Sequence, residues 1–228
     1  MNNQINYQII KDEQKFREFI NWLPELKSDE TYYLSLLARN KYNKNLPKDK
    51  IQLKRVTSNK EMMFDKVKQM ECELGSYQYK GHTIPENTIC LYITPNPRSQ
   101  TKAAKKLVKT LLDLVLNDYN GYNIQAEALS ALQVSSSRTV YMDFDFDHIS
   151  IDEIKPMLNG IINKEAITFV KTYGGFHLLV EVQKISKEYF KTYYNAISKL
   201  PNCDVRGDNL LPVPGCTQGD KIPELLIF

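Results

Sequence analysis

Cysteine is scarce in this chain: four residues in 228, Cys72, Cys90, Cys203 and Cys216, with no CxxC pair. That excludes a disulfide framework and leaves structural zinc without its usual ligand spacing; His82, between Cys72 and Cys90, fits no common zinc pattern. Charge of one sign is not in large excess either. The net charge of +3 is too mild to prove a nucleic-acid partner, so the placement of the charges says more than their sum. No apolar run approaches the roughly 18 residues that a membrane span needs, and no segment reads as a signal peptide. These absences predict a protein of the reducing cytoplasm with no membrane partner.

What is present is enough apolar sequence, 42%, for a sizeable core in one large domain or two small ones. The spacing predicts a helix over 12–22, a strand over 31–41, a Lys-rich loop over 41–55, and a helix from a Ser58 cap to about Leu74 with Gly75 as its stop. A strand over 88–94 ends at Pro95-Asn96-Pro97. A helix over 99–117 carries Leu107, Leu111, Leu114 and Val115 at helical spacing beside the basic stripe Lys102, Lys105, Lys106 and Lys109. The second half alternates regularly: strand 139–146, helix 151–163, strands 166–171 and 176–182, helix 186–199, and extended segments from 203. The order βαββαβ is that of the split, ferredoxin-like unit, in which the first and third strands are adjacent and the fourth lies beside the first. The fold class expected is therefore α+β, with a split βαββαβ sheet over 135–228.

Chemistry concentrates in three short motifs: Asp143-Phe144-Asp145, Gly174-Gly175-Phe176-His177 and Cys203-Asp204-Val205-Arg206. Residues i and i+2 of a strand share a face, so Asp143 and Asp145 stand together opposite Met142, Phe144 and Phe146. Side-by-side carboxylates are costly without a cation. The strand order brings His177 to the same face from one side, with Asp204 and Arg206 from the other. Three carboxylates suit a hard divalent ion with oxygen ligands, Mg²⁺ or Mn²⁺, and two such ions serve phosphoryl transfer. Each motif alone has a plainer reading: a solvated strand end, a satisfied core histidine, a hairpin turn. Their occurrence in order within one βαββαβ unit argues for function.

The motifs resemble those of the archaeo-eukaryotic primase superfamily, the primase-polymerases of plasmids, phages and mobile elements. The first motif, hydrophobic–Asp–hydrophobic–Asp/Glu, is matched by Met142-Asp143-Phe144-Asp145. The second, a small residue, any residue, then His, is matched by Gly175-Phe176-His177. The third, a hydrophobic residue then Asp, is matched by Cys203-Asp204, and residues 205–215 are similar to the segment that follows it. The likeness covers roughly 135–220, and it implies that residues 1–134 form an N-terminal αβ module packed against an RRM-like catalytic sheet over 135–228. It implies template-dependent nucleotidyl transfer on single-stranded DNA, by a primase or a primer-extending polymerase, with two Mg²⁺ or Mn²⁺ ions. Asp143, Asp145 and Asp204 would be the catalytic metal ligands. His177, Arg206, Lys171 and Gly175 would bind the nucleoside triphosphate. Arg98, Lys102, Lys105, Lys106 and Lys109 would follow the template, and a replicative helicase is a further partner the resemblance allows. Cys203 in the hydrophobic position departs from the pattern. Asp208 competes with Asp204 as third ligand, although its Gly207-Asp208-Asn209 setting reads as a turn.

Two rivals share the sheet. A rolling-circle replication endonuclease would use Tyr193 or Tyr194 as nucleophile, but it wants two His flanking a hydrophobic residue, and here Leu178-Leu179 follow His177. A non-catalytic RNA-binding module stacks bases on exposed aromatics, whereas the comparable positions here are Asp143, Asp145 and His177.

Overall fold

The computed structural model describes residues 6–44, 46–117 and 121–227. In chain order the elements are α1 (Glu13–Trp22), β1 (Glu30–Arg39), β2 (Lys50–Ser58), α2 (Lys60–Lys68), β3 (Gln78–Tyr79), β4 (His82–Thr83), β5 (Ile89–Ile93), β6 (Arg98–Ser99), α3 (Gln100–Leu116), α4 (Ile124–Gln133), β7 (Tyr141–Asp147), α5 (Ile151–Met157), β8 (Ile167–Lys171), β9 (Gly175–Glu181), α6 (Tyr193–Ile197), β10 (Cys203–Gly207), β11 (Leu211–Pro212) and β12 (Glu224–Ile227). The class is α+β. No helix among the described residues is long and apolar enough to cross a membrane.

The first sheet runs β11-β5-β1-β2, with β6 also on β1. Its centre, β1, is buried along nearly its whole length, as a strand covered on both faces must be. Tyr32, Leu34, Leu36 and Ala38 enter the main core with Phe16, Phe19, Met63 and Val67 of α1 and α2. On the opposite face Tyr33 lies under Ala103 of α3 and Leu132 of α4, and farther along Leu37 packs with Cys90 and Tyr92.

The second sheet runs β10-β7-β9-β8-β12, every neighbour antiparallel. Phe144, Phe146, Phe169, Phe176, Leu178 and Val180 cover one face and pack on Ile154 of α5 and Ile197 of α6. The other face changes character along its length. Tyr141, Val170 and Leu179 join the main core, and the Trp22 ring stacks on Tyr141 at 4.5 Å. Beyond them on β7 and β9 come Asp143, Asp145 and His177.

Several expectations need correction. The loop expected over 41–55 becomes β2 at Lys50, because Ile51 is buried between exposed Lys50 and Gln52; the period-2 signal was masked by lysines. Helix α2 is capped by the Asn59 side chain, which accepts from Met62 N–H, not by Ser58, and it stops at Lys68. The helix expected over 151–163 stops at Met157, one residue after Pro156, and Gly160 turns the chain at φ 76°. Helix 186–199 is α-helical only over 193–197. Helix α4 and the β3–β4 hairpin were not expected. The division at 134/135 separates the two sheets only up to β10: β11 returns to the first sheet, with Leu211 opposite Ile93, and β12 rejoins the second beside β8. The two modules are thus sewn together by the C-terminal residues.

Candidate active site between the two sheets

Register sets the site. Asp145 stands directly opposite His177 of β9 on one side and Asp204 of β10 on the other. Asp143 is fully buried. Its two carboxylate oxygens lie 2.9 and 3.0 Å from His177 Nδ1. An ionised carboxylate can only accept, so Nδ1 carries the proton it donates. Nε2 is left facing Asp145 Oδ1 at 3.7 Å. Burial alone would lower the His177 pKa, but the charge and hydrogen bond of Asp143, with Asp145 behind, hold it above its ordinary value. Arg206 completes the row. Its Nε and Nη2 lie 3.1 and 3.0 Å from Asp145 Oδ2, and Nη2 lies 3.0 Å from Asp204 Oδ2. The cation that the sequence demanded on this acidic face is therefore supplied, in the first instance, by the protein itself.

The row opens into a cavity of about 200 Å³ between the sheets. Asp145, Asp147, Gly174, His177 and Arg206 line one wall; Leu37, Arg39, Lys50 and Tyr92 of the first sheet, with Lys41 just beyond β1, line the other. Arg39 Nη1 donates to the Tyr92 hydroxyl at 3.1 Å, while its buried Nε has no partner. The Lys41 and Lys50 ammonium groups are pulled down by burial and then by the neighbouring Arg39 charge, Lys41 being partly restored by Asp147 and Asp145. Cations crowded together with an unsatisfied donor describe a wall that an anion would stabilise.

Not every expected residue reaches this cavity. Lys171 shares its face of β8 with Ile167 and Phe169, whose side chains pack toward α5 and α6, so it sits on the opposite face from the carboxylates. Gly175 is required by packing, because a side chain there would meet the Phe146 carbonyl oxygen at 1.9 Å; Gly174 is the one that lines the cavity. Arg98 is no surface residue. It is 1% exposed, and its Nη1 and Nη2 pair with Asp208 at 2.6 and 2.8 Å. Asp208 is thereby held by Arg98 and Asn96 rather than by the nearby backbone that a turn role would give it. Lys102, Lys105, Lys106 and Lys109 are exposed on α3, with Lys102 donating to the Ser136 and Ser137 carbonyls. Cys203 packs with the apolar residues on the helix side, which suits its hydrophobic position, and burial with the nearby carboxylates pushes its thiol up to about 11.

Other contributors had weak signals or none. Asp147 continues the alternation of Asp143 and Asp145 by one step and was within reach of the sequence. Arg39, Lys41 and Lys50 come from the other sheet, and no local pattern points to them. Asn96 had seemed only a strand breaker. Its buried side chain accepts from Val140 and Tyr141 N–H at 2.8 and 2.7 Å and donates to Tyr141 O and Asp208 Oδ1 at 2.8 and 2.9 Å. It clamps the start of β7 to the first sheet.

Asp145, Asp147 and Asp204 offer oxygen ligands only, the donor set of a hard cation. As they stand, the carboxylates are bridged by His177 and Arg206, and among the described residues no three His, Cys, Asp or Glu groups converge closely enough to hold a metal ion. No family model, no curated protein and no solved structure matches this chain.

Proposed function

We propose that this chain is a metal-dependent nucleotidyltransferase that joins nucleoside triphosphates on a single-stranded DNA template, a primase or primer-extending polymerase. The observation that carries the reading is the two-walled cavity, with the row Asp204–Asp145–His177 on one side and Arg39, Lys41 and Lys50 on the other. The strand order, with the fourth strand of the unit beside the first and the third adjacent to it, suits the split βαββαβ sheet of primase-polymerases.

Asp145 and Asp204, with Asp143 or Asp147, would hold Mg²⁺ or Mn²⁺. Bound there, the ions would activate the attacking hydroxyl and stabilise the leaving phosphate oxygen. The chain's own part is positioning and charge. Asp143 fixes the His177 tautomer and aims Nε2 into the cavity. Arg206, half-exposed, exchanges its carboxylate partners for phosphate oxygens, which its planar fork fits equally well. Arg39, Lys41 and Lys50 balance the triphosphate from the facing wall.

The endonuclease alternative lacks a nucleophile at this site. Tyr193 is buried on the helix side of the sheet, and Tyr194 packs against Phe144 on that same side. The test is primer extension and primer synthesis on single-stranded template with Mg²⁺ or Mn²⁺ and each nucleotide type. The wild type incorporates nucleotide and Asp145→Asn does not. Equal incorporation by both ends the reading.

A further inference from the structure

The loop joining β1 to β2 leaves the cavity at Lys41 and re-enters it at Lys50. Between those points Lys44, Leu46 and Pro47 form a shallow hollow with His82, Thr83 and Ile84 of the β3–β4 hairpin. The described residues of the loop, 41–44 and 46–49, thus lead from the cavity to the hairpin. Residues 41–50 and 78–83 carry Lys41, Lys44, Lys48, Lys50 and Lys80 against a single acid, Asp49. Amid this charge stands Tyr79, with Lys48 Nζ 5.5 Å and Lys80 Nζ 5.9 Å from its ring centroid and exposed His82 opposite it in register. Tyr77, two residues earlier, is the anchor: it is buried and donates its hydroxyl proton to Met70 O at 2.7 Å. Lys80 and Gly81 form the two-residue turn with φ 51° and 80°. That turn favours Asn-Gly, and a lysine takes the left-handed conformation only at a cost. A local preference broken in favour of a charge argues that the charge is used.

We infer that this surface, from the cavity along the β1–β2 loop to the hairpin tip, is a track for a single strand of nucleic acid, with Tyr79 as its stacking platform. Interleaved aromatics and cations are what single strands need: base faces stack on rings, phosphates meet ammonium groups, and no base edge is read. The basic stripe of α3 lacks that composition. Its exposed neighbours are aliphatic, Val108, Leu112, Val115 and Leu116, which offer a base no platform. That the bound strand serves as template rests on the polymerase reading; that the surface binds a strand does not.

The test is anisotropy of a labelled single-stranded oligonucleotide over a salt series, without nucleotide, beside incorporation at saturating template. Lys48→Gln with Lys80→Gln should flatten the log–log salt slope by up to about 1.4, two contacts at about 0.7 each. Tyr79→Ala should weaken binding roughly tenfold with the slope kept, and Tyr79→Phe should bind like wild type, since stacking needs no hydroxyl. The lysine variants and Tyr79→Phe should melt with the wild type; the Tyr79 ring packs partly on the main core, so Tyr79→Ala is compared with Tyr79→Phe below its own melting transition. Unchanged slope and affinity in the variants would overturn the track, as would failure of the wild type to bind a single strand at all. If binding depends on Tyr79 and the lysines while the wild type incorporates no nucleotide, the track stands and the polymerase reading falls. If incorporation is normal and the variants bind normally, the reverse holds.

Discussion

Two arginine–aspartate clusters draw on neighbouring residues of the chain, Arg206 and Asp208, and do opposite work. Arg98 and Asp208 form a bidentate pair whose guanidinium is 1% exposed. Asn96 holds the same carboxylate and the start of β7, so the cluster fastens the first sheet to the second. Arg206 with Asp145 and Asp204 has similar distances, 3.0 Å to each. Its guanidinium side chain is 40% exposed and that of Asp204 63%, at the mouth of a cavity with a second basic wall. A buried pair cannot be broken without leaving a charge unsolvated. A half-exposed one contributes little to stability, and its partners can be exchanged for an ion or a phosphate. Burial, rather than residue type or distance, separates the fastener from the working group.

The sharpest way to break this contrast is Asp145→Asn. Incorporation should fall by several orders of magnitude while the melting temperature falls less than in Asp208→Asn, because Asp145 is 15% exposed but its partner Arg206 is 40% exposed and can be hydrated. The double change Asp143→Ala with Asp145→Ala behaves differently from what the acidic sequence suggests. Relief of repulsion would stabilise it, but His177 would be left buried without its carboxylate, so the double variant should melt below the wild type. A double variant more stable than wild type would mean that the His177–Asp143 pair does not hold in solution.

Asp208→Asn should produce the largest loss of stability, on the order of 3 kcal/mol, because it strips the counter-charge from buried Arg98. For a chain of this size the melting temperature should fall by roughly 6–12 °C. Any activity that survives at low temperature should keep its metal and nucleotide dependence. An unchanged melting temperature would remove Arg98–Asp208 as the fastener. From sequence alone the same substitution reads as harmless, since Asn also suits a turn.

Arg206→Gln should do the reverse: a shift in stability within about 1 kcal/mol, tighter Mn²⁺ binding because a competitor for Asp145 and Asp204 is gone, and weaker triphosphate binding. Titration calorimetry with Mn²⁺ alone and with triphosphate separates the two. Weaker Mn²⁺ binding in this variant would show that Arg206 is no competitor of the metal.

Much of the second sheet was legible because its signals are local. Alternation put Asp143 and Asp145 on one face, and the βαββαβ order placed His177 and Asp204 beside them, as the register Asp204–Asp145–His177 now does. The facing wall was not legible. Arg39, Lys41 and Lys50 sit more than ninety residues before Asp145, on a sheet whose second strand was hidden by its own lysines, and only tertiary packing brings them across. Arg98 and Lys171 failed for a related reason. Sequence assigns a charge to a surface by default, whereas Arg98 is enclosed because Asp208 returns from 110 residues away, and Lys171 turns to the wrong face by the same parity that placed the aspartates correctly.

The smallest effect is expected where the sequence alone points first, the α3 lysines. Lys105, Lys106 and Lys109 are exposed beside Val108, Leu112 and Leu116, 65%, 55% and 70% exposed. Helix α3 itself carries no aromatic residue, and it packs chiefly on α4 rather than on the cavity walls. Lys102 is set apart, because it ties the α3 start to the Ser136 and Ser137 carbonyls and its loss would confuse binding with stability. Lys105→Gln, Lys106→Gln and Lys109→Gln together should lower single-strand affinity only through the weaker long-range field. That term is screened within about 8 Å at physiological salt. The log–log salt slope should therefore move by less than about 0.7, the value of a single phosphate contact. A drop near 2 would mean three direct contacts, and would return the strand to α3 and away from Tyr79.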